Sequence, residues 1–229
     1  MNDIARNLET VREEIEKACA RAGRSPEEVR LMAVTKTKPR ADADAAYEAG
    51  VRLFGENRIF EARDKYAEFP TDAELHLIGH MQTNKAKTAA EIFSCVQSVD
   101  KTKSAAELEK RCASFGKSMD ILLEVNTSGE ESKYGFTDEN ALFRELEGIV
   151  TFKHLNVRGL MTIAPFTDDE SAVRGSFRKL KELYDKTAVM FPDLRLDTLS
   201  MGMSSDFGIA VEEGSTLVRI GSVIFGERR

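Results

Sequence analysis

Lys36 closes the run Met32-Ala33-Val34-Thr35-Lys36, followed by Thr37-Lys38-Pro39. In an extended strand side chains alternate, so Met32, Val34 and Lys36 share one face. An ammonium among apolar strand residues is costly to keep charged, which favours the neutral amine, the form that attacks an aldehyde carbon in Schiff-base chemistry. The opposing reading is a strand-end lysine whose stem lies on apolar surface and whose amine reaches water. Lys38 is the rival amine, but Pro39 biases it toward an extended loop and is expected to carry it away from any site.

Other apolar runs also end in groups able to bind a ligand. Phe54-Gly55-Glu56-Asn57 offers Asn57 as a hydrogen-bonding amide or, equally, as the cap of a following helix. The stretch Leu199-Ser200-Met201-Gly202-Met203-Ser204-Ser205-Asp206 combines small residues, which allow close backbone approach, with hydroxyl donors. Val218-Arg219-Ile220-Gly221-Ser222 adds a second small, donor-rich turn. Two such turns together point to a phosphate cradle; singly, each reads as an ordinary capped turn. Arg219 lies between apolar neighbours, where a lone guanidinium is expensive, so it needs either an anionic or acceptor ligand or a structural pair with Glu124. His76, Gly79 and His80 lead into Gln82-Thr83-Asn84-Lys85, read as a plain helix start.

The elements that must position these groups alternate regularly. Strands are expected near 29–36, 52–57, 74–79, 95–99, 120–126, 157–163, 197–202 and 216–221, with helical segments after the first seven. The fourth is the weakest. Ile4, Leu8, Val11, Ile15 and Ala18 form the stripe of an additional N-terminal helix ending near Gly23, and Ser25 with Glu28 makes a capping box. Eight strands without a GxGxxG turn after the first favour a closed (β/α)8 TIM barrel over an open doubly wound sheet, with 1–229 as one domain. In such a barrel the carboxyl ends of the strands carry function, and the loops after the seventh and eighth hold phosphate.

Composition narrows the field. With 33 basic against 39 acidic residues and a net charge of -6, no footprint for nucleic acid or an anionic membrane exists. The amino end, with Asp3, Arg6, Glu9 and Arg12, does not resemble a signal peptide, and no apolar run is long enough to span a bilayer, so a cytoplasmic protein is expected. Cys19, Cys95 and Cys112 are far apart and are expected to be reduced and structural. They and the three histidines show no metal-ligand spacing, so no metal is expected.

Four motifs resemble the YggS/PROSC family of pyridoxal phosphate homeostasis proteins over essentially the whole chain. They are Ala33-Val34-Thr35-Lys36-Thr37-Lys38-Pro39; Phe54-Gly55-Glu56-Asn57; His76-Leu77-Ile78-Gly79 with Gln82-Thr83-Asn84-Lys85; and Ser200-Met201-Gly202-Met203-Ser204 with Val218-Arg219-Ile220-Gly221-Ser222. Arg158-Gly159-Leu160-Met161 and Gly129-Glu130-Glu131-Ser132-Lys133-Tyr134-Gly135 are similar too. The resemblance implies a fold-type III barrel like the N-terminal domain of alanine racemase, with pyridoxal 5′-phosphate as cofactor on Lys36. It further implies that Arg219 faces the pyridine nitrogen and that Ser204, Gly221 and Ser222 lie near the phosphate; Asn57, Ser200 and Met201 complete the expected cofactor-binding set. Thr35 and Ser222 stand where Ser and Thr are common, and His80 where Pro is.

Racemases of this type carry a second, β-rich domain whose tyrosine opposes the lysine, and the chain is expected to lack it. Tyr134 is the one tyrosine near a mouth loop and reads as a surface aromatic; Lys133 beside it reads as a solvated lysine. No catalytic residue is therefore assigned. The expected function is storage and delivery of pyridoxal phosphate, with dependent apo-enzymes as recipients, by a monomer or weak dimer. The rival is a one-base racemase or slow lyase using the same cofactor. A scaffold signalling to a protein partner is a third reading, without surface clues.

Overall fold

The computed structural model describes residues 3–130 and 132–227. All eight apolar runs form parallel strands: β1 (Arg30–Val34), β2 (Leu53–Glu56), β3 (Glu74–Leu77), β4 (Cys95–Val99), β5 (Met119–Glu124), β6 (Leu155–Met161), β7 (Thr198–Ser200) and β8 (Leu217–Ile220). Each pairs with the next, and β8 pairs back onto β1 from Arg30↔Leu217 to Ala33↔Ile220, closing the barrel. Most ladders stop one or two residues before the sequence pattern does. The reason lies at the mouth, where Thr35, Ile78, Val125 and Met201 each donate one more backbone hydrogen bond to the neighbouring strand before the chain turns away. The weak-looking β4 is buried at every position, because a strand inside a barrel is covered on both faces.

Eight helices follow the strands: α2 (Arg40–Glu48), α3 (Ile59–Lys65), α4 (Ala86–Ile92), α5 (Thr102–Phe115), α6 (Glu139–Ile149), α7 (Glu170–Met190), α8 (Phe207–Glu212) and α9 (Ser222–Phe225). The last was not expected, and α8 and α9 are short. Over the β8–β1 seam they leave apolar surface that the additional helix α1 (Asp3–Ala22) covers, packing on α8, α9 and α2 through Leu8, Val11, Ile15 and Ala18. Asn7 Nδ2 fixes that contact by donating to the carbonyl of Ile224 at 2.9 Å. Between α1 and β1 the Ser25–Glu28 capping box forms as the spacing predicts.

The main core lies between strands and helices. Inside the barrel, packing splits in two. Met32, Val34, Leu53 and Leu217 form one apolar cluster, and Cys95, Leu122 and Met161 form the other. All three cysteines are buried and free. Among the described residues no group of His, Cys, Asp and Glu is placed to hold a metal ion, and no helix is long and apolar enough to cross a membrane.

Gly159 marks the register shift between β5 and β6. Its φ is +155°, and a Cβ there would stand 1.7 Å from the carbonyl oxygen of Thr198. Gly159→Ala must push β7 off β6, and urea unfolding should show a loss of about 3 kcal/mol or more.

Candidate functional site

A cavity of about 430 Å³ opens at the carboxyl ends of the strands. Val34, Ile78 and Ile163 supply apolar walls, and Lys36, Asn57, Ser204, Arg219, Gly221 and Ser222 line it with polar groups. Sequence alternation placed Lys36 correctly: it follows β1 on the inward face shared by Met32 and Val34. A cluster behind the strand grips the backbone on both sides of it. Lys65 Nζ donates to the carbonyl of Thr35 (2.7 Å), to Glu56 Oε1 (2.8 Å) and to Glu61 Oε1 (3.0 Å), while Glu61 Oε1 also accepts the N–H of Thr37 at 2.6 Å. The Thr35 hydroxyl bonds Glu56 Oε1 and the Tyr66 hydroxyl. Thr37 sits at φ 64°, a left-handed conformation costly for a β-branched residue and held by this grip. Burial raises the pKa of Glu56, opposed by its bonds to Lys65 and Thr35. Sequence reasoning passed over Glu61, Lys65 and Tyr66; the available signal was Lys65, a lysine on the same α3 face as Ile59 and Ala62.

Several expectations need correction. Lys38 is not carried away by Pro39: it lines the cavity, and its Nζ donates to the carbonyls of Phe225, Gly226 and Glu227, closing the exposed end of α9. Asn57 is not a helix cap; the N-cap of α3 is Arg58, and Asn57 faces the cavity. Gly79 lets β3 pass so close that a Cβ would lie 2.4 Å from the carbonyl oxygen of Asn57. Ser200 and Met201 do not line the cavity. Ser200 lies beneath it, and Met201 points outward into the main core. Lys133 is not solvated but ties two mouth loops together, donating to Glu130 Oε1 and to the carbonyl of Ala164. Tyr134 is exposed as expected, stacked on His80 at 3.7 Å. Glu131 lies outside the described residues.

Arg219 is buried and forms no ion pair with Glu124. Its Nη1 donates to Ser200 Oγ at 2.6 Å and its Nη2 to the carbonyl of Thr162 at 2.7 Å. Burial pulls its pKa down to about 10, opposed by the charges of Asp206 and Glu124, so it remains a cation at neutral pH. Ser204 Oγ accepts the N–H of Gly221 at 3.2 Å, which joins the loop after β7 to the turn after β8. The arrangement sets an amine, a fixed cation and two hydroxyl-bearing turns around one cavity, able to bind an aldehyde that carries a phosphate.

A family model described as alanine racemase, N-terminal domain, matches residues 6–229. The pyridoxal phosphate homeostasis protein of Aquifex aeolicus is 42% identical over 224 residues, covering 97% of this chain and 97% of its own. That of Vibrio alginolyticus is 42% identical over 233 residues, covering 100% and 99%. The structure of PipY of Synechococcus elongatus with PLP bound superposes with a TM-score of 0.85 at 36% identity, over 97% of this chain and 100% of that one.

Glu124 is 7% exposed, and burial together with the charge of Asp100 pushes its pKa up to about 7, with Arg219 opposing. A carboxyl raised in the folded state gives stability that is complete below its unfolded pKa and lost as pH rises through the folded one. Raising it from 4.5 amounts to about 3 kcal/mol lost between pH 4.5 and 7. Denaturant titrations of wild type beside Glu124→Gln should show this loss in the wild type and a flatter profile in the variant.

Proposed function

Because the chain belongs to the pyridoxal phosphate homeostasis protein family, within the wider class built on the alanine racemase N-terminal domain, we propose that its cavity holds pyridoxal 5′-phosphate on Lys36 and that the protein stores and delivers this cofactor. The observation that carries the reading is the convergence on one cavity of Lys36, Arg219 and the two turns at Ser204 and Gly221–Ser222. Lys36 would hold the cofactor covalently, its Nζ condensing with the aldehyde carbon with release of one water. Ser204, Gly221 and Ser222 would receive the phosphate, and Asn57 lines the same cavity where it could meet the ring hydroxyl. Arg219 uses two of its five N–H donors on the protein, and the others would be left to meet the ring nitrogen. When bound, the cofactor supplies an electron sink, and a charged guanidinium at its nitrogen donates a hydrogen bond without a proton, which leaves that sink weak.

Weak electron withdrawal suits a carrier. Among the described residues that line the cavity, the ionisable side chains besides Lys36 are Lys38 and Arg219, and the amine of Lys38 is bonded to three carbonyls. The recipients are pyridoxal phosphate-dependent apo-enzymes, and three buried free cysteines fit the reducing cytoplasm. The alternative, a one-base racemase or slow lyase, would draw on Glu124, a carboxyl that burial raises to about 7 within the field of Arg219.

Loaded protein mixed with an apo-enzyme should restore that enzyme's activity, whereas Lys36→Ala, carried through the same gel filtration, should bring no cofactor with it. Incubated with single L-amino acids, the loaded protein should yield no D-isomer above the blank. Turnover of about 1 per second or faster would overturn the carrier reading.

A further inference from the structure

The two apolar clusters inside the barrel are separated by a row of buried polar side chains that crosses from β8 to β3. Arg219 Nη1 donates to Ser200 Oγ (2.6 Å), Ser200 Oγ donates to Gln97 Oε1 (2.7 Å), and Gln97 Nε2 meets His76 Nδ1 (2.9 Å). On its other side His76 Nε2 lies 3.5 Å from Glu74 Oε2, and Glu74 Oε1 accepts from Arg30 Nη2 at 2.7 Å. Ser200 and Gln97 are fully buried and His76 is 6% exposed. The row begins beneath the cavity and ends in a second, smaller hollow on the opposite face, which Arg30, Glu74 and His76 help to line.

Its polarity is forced from both ends. A guanidinium has no acceptor, so Ser200 Oγ accepts and its own proton goes to Gln97 Oε1. That orients the amide with its NH₂ toward His76, whose Nδ1 must then carry no proton. The ring proton is left on Nε2, facing Glu74. Burial lowers the pKa of His76, which keeps the ring neutral, and the bonds from His76 and Arg30 hold Glu74 down to about 2, which keeps it an anion. Every dipole in the row points its negative end toward Arg219. The row thus steadies a cation without neutralising it; a carboxylate at position 200 would neutralise the cation instead.

We propose that Gln97 and His76 are positioning residues that act through Ser200 to hold the Arg219 guanidinium at the cavity floor, charged and in one orientation toward the ring nitrogen of the cofactor. The proposal rests on the reading of the cavity as a pyridoxal phosphate site. Packing alone does not call for these side chains, since apolar residues of similar volume fill such space at no desolvation cost.

The experiment has two arms. In the first, pyridoxal phosphate is titrated into wild type, Gln97→Met, Ser200→Ala and Ser200→Thr, with the visible band and the thermal midpoint of each recorded. Gln97→Met, which does not touch the cavity, and Ser200→Ala should each weaken binding about tenfold and move the band, and Ser200→Thr should restore both. A variant that lowers the midpoint while leaving affinity and band unchanged would overturn the proposal and make the row structural. In the second arm, ¹⁵N spectra of histidine-labelled protein are taken without cofactor. His76 should be the neutral Nε2–H tautomer, with an Nδ1 resonance that moves in Gln97→Met; a proton on Nδ1 would overturn the proposal with no cofactor involved. Failure of the wild type to bind pyridoxal phosphate at all would instead strike the reading of the cavity.

Discussion

A guanidinium inside a closed barrel, with no carboxylate in ion-pair contact among the described residues, constrains everything packed around it. Arg219 is 4% exposed, and a charge so placed survives only if its donors meet oriented acceptors. The barrel supplies them from strands far apart in sequence: a hydroxyl on β7 and a carbonyl just past β6. That need explains why the interior is not one apolar core but two small clusters with polar side chains between them. It also explains why the mouth above carries a fixed positive charge whatever fills it.

The second requirement is an amine held at the same cavity as that charge. Alternation along β1 aims Lys36 inward, yet alternation alone leaves a strand end free to fray. Anchors on the outward side remove that freedom: Thr35 and Thr37 are bonded to one connected group of Glu56, Glu61 and Lys65. The left-handed backbone at Thr37 is the strained turn that allows the chain to leave the barrel immediately after the lysine. Inside and outside of the sheet therefore have separate tasks, the inner face presenting the group and the outer face fixing its backbone.

Much of this was legible in the residues. Eight β-rich runs alternating with helical spacing gave the barrel, and its geometry told which strand ends to read, so Lys36, Asn57, Ser204, Arg219, Gly221 and Ser222 were found together. What escaped depends on closure. Gln97 and Ser200 are 103 residues apart, and nothing local to either marks it as the other's partner. Ser200 was misread because its hydroxyl looks like any other near a phosphate turn, when it belongs to the layer below. Lys38 was misjudged because Pro39 fixes the backbone but not the reach of a four-carbon side chain, which finds three carbonyls at the end of α9. The pairing of Arg219 with Glu124 was one of two readings, set by charge and by the similarly apolar run around Glu124; the guanidinium instead bonds neutral acceptors on β7 and just past β6.

The claim on which the account turns is that Lys36, and not the neighbouring Lys38, forms the bond to the cofactor. Borohydride reduction of protein loaded with pyridoxal phosphate, followed by protease digestion and mass spectrometry, reads this directly. The account predicts a phosphopyridoxyl group on Lys36, with Lys38 unmodified because its amine caps the carboxyl end of α9. The label on Lys38, or spread over surface lysines with Lys36 untouched, would contradict it.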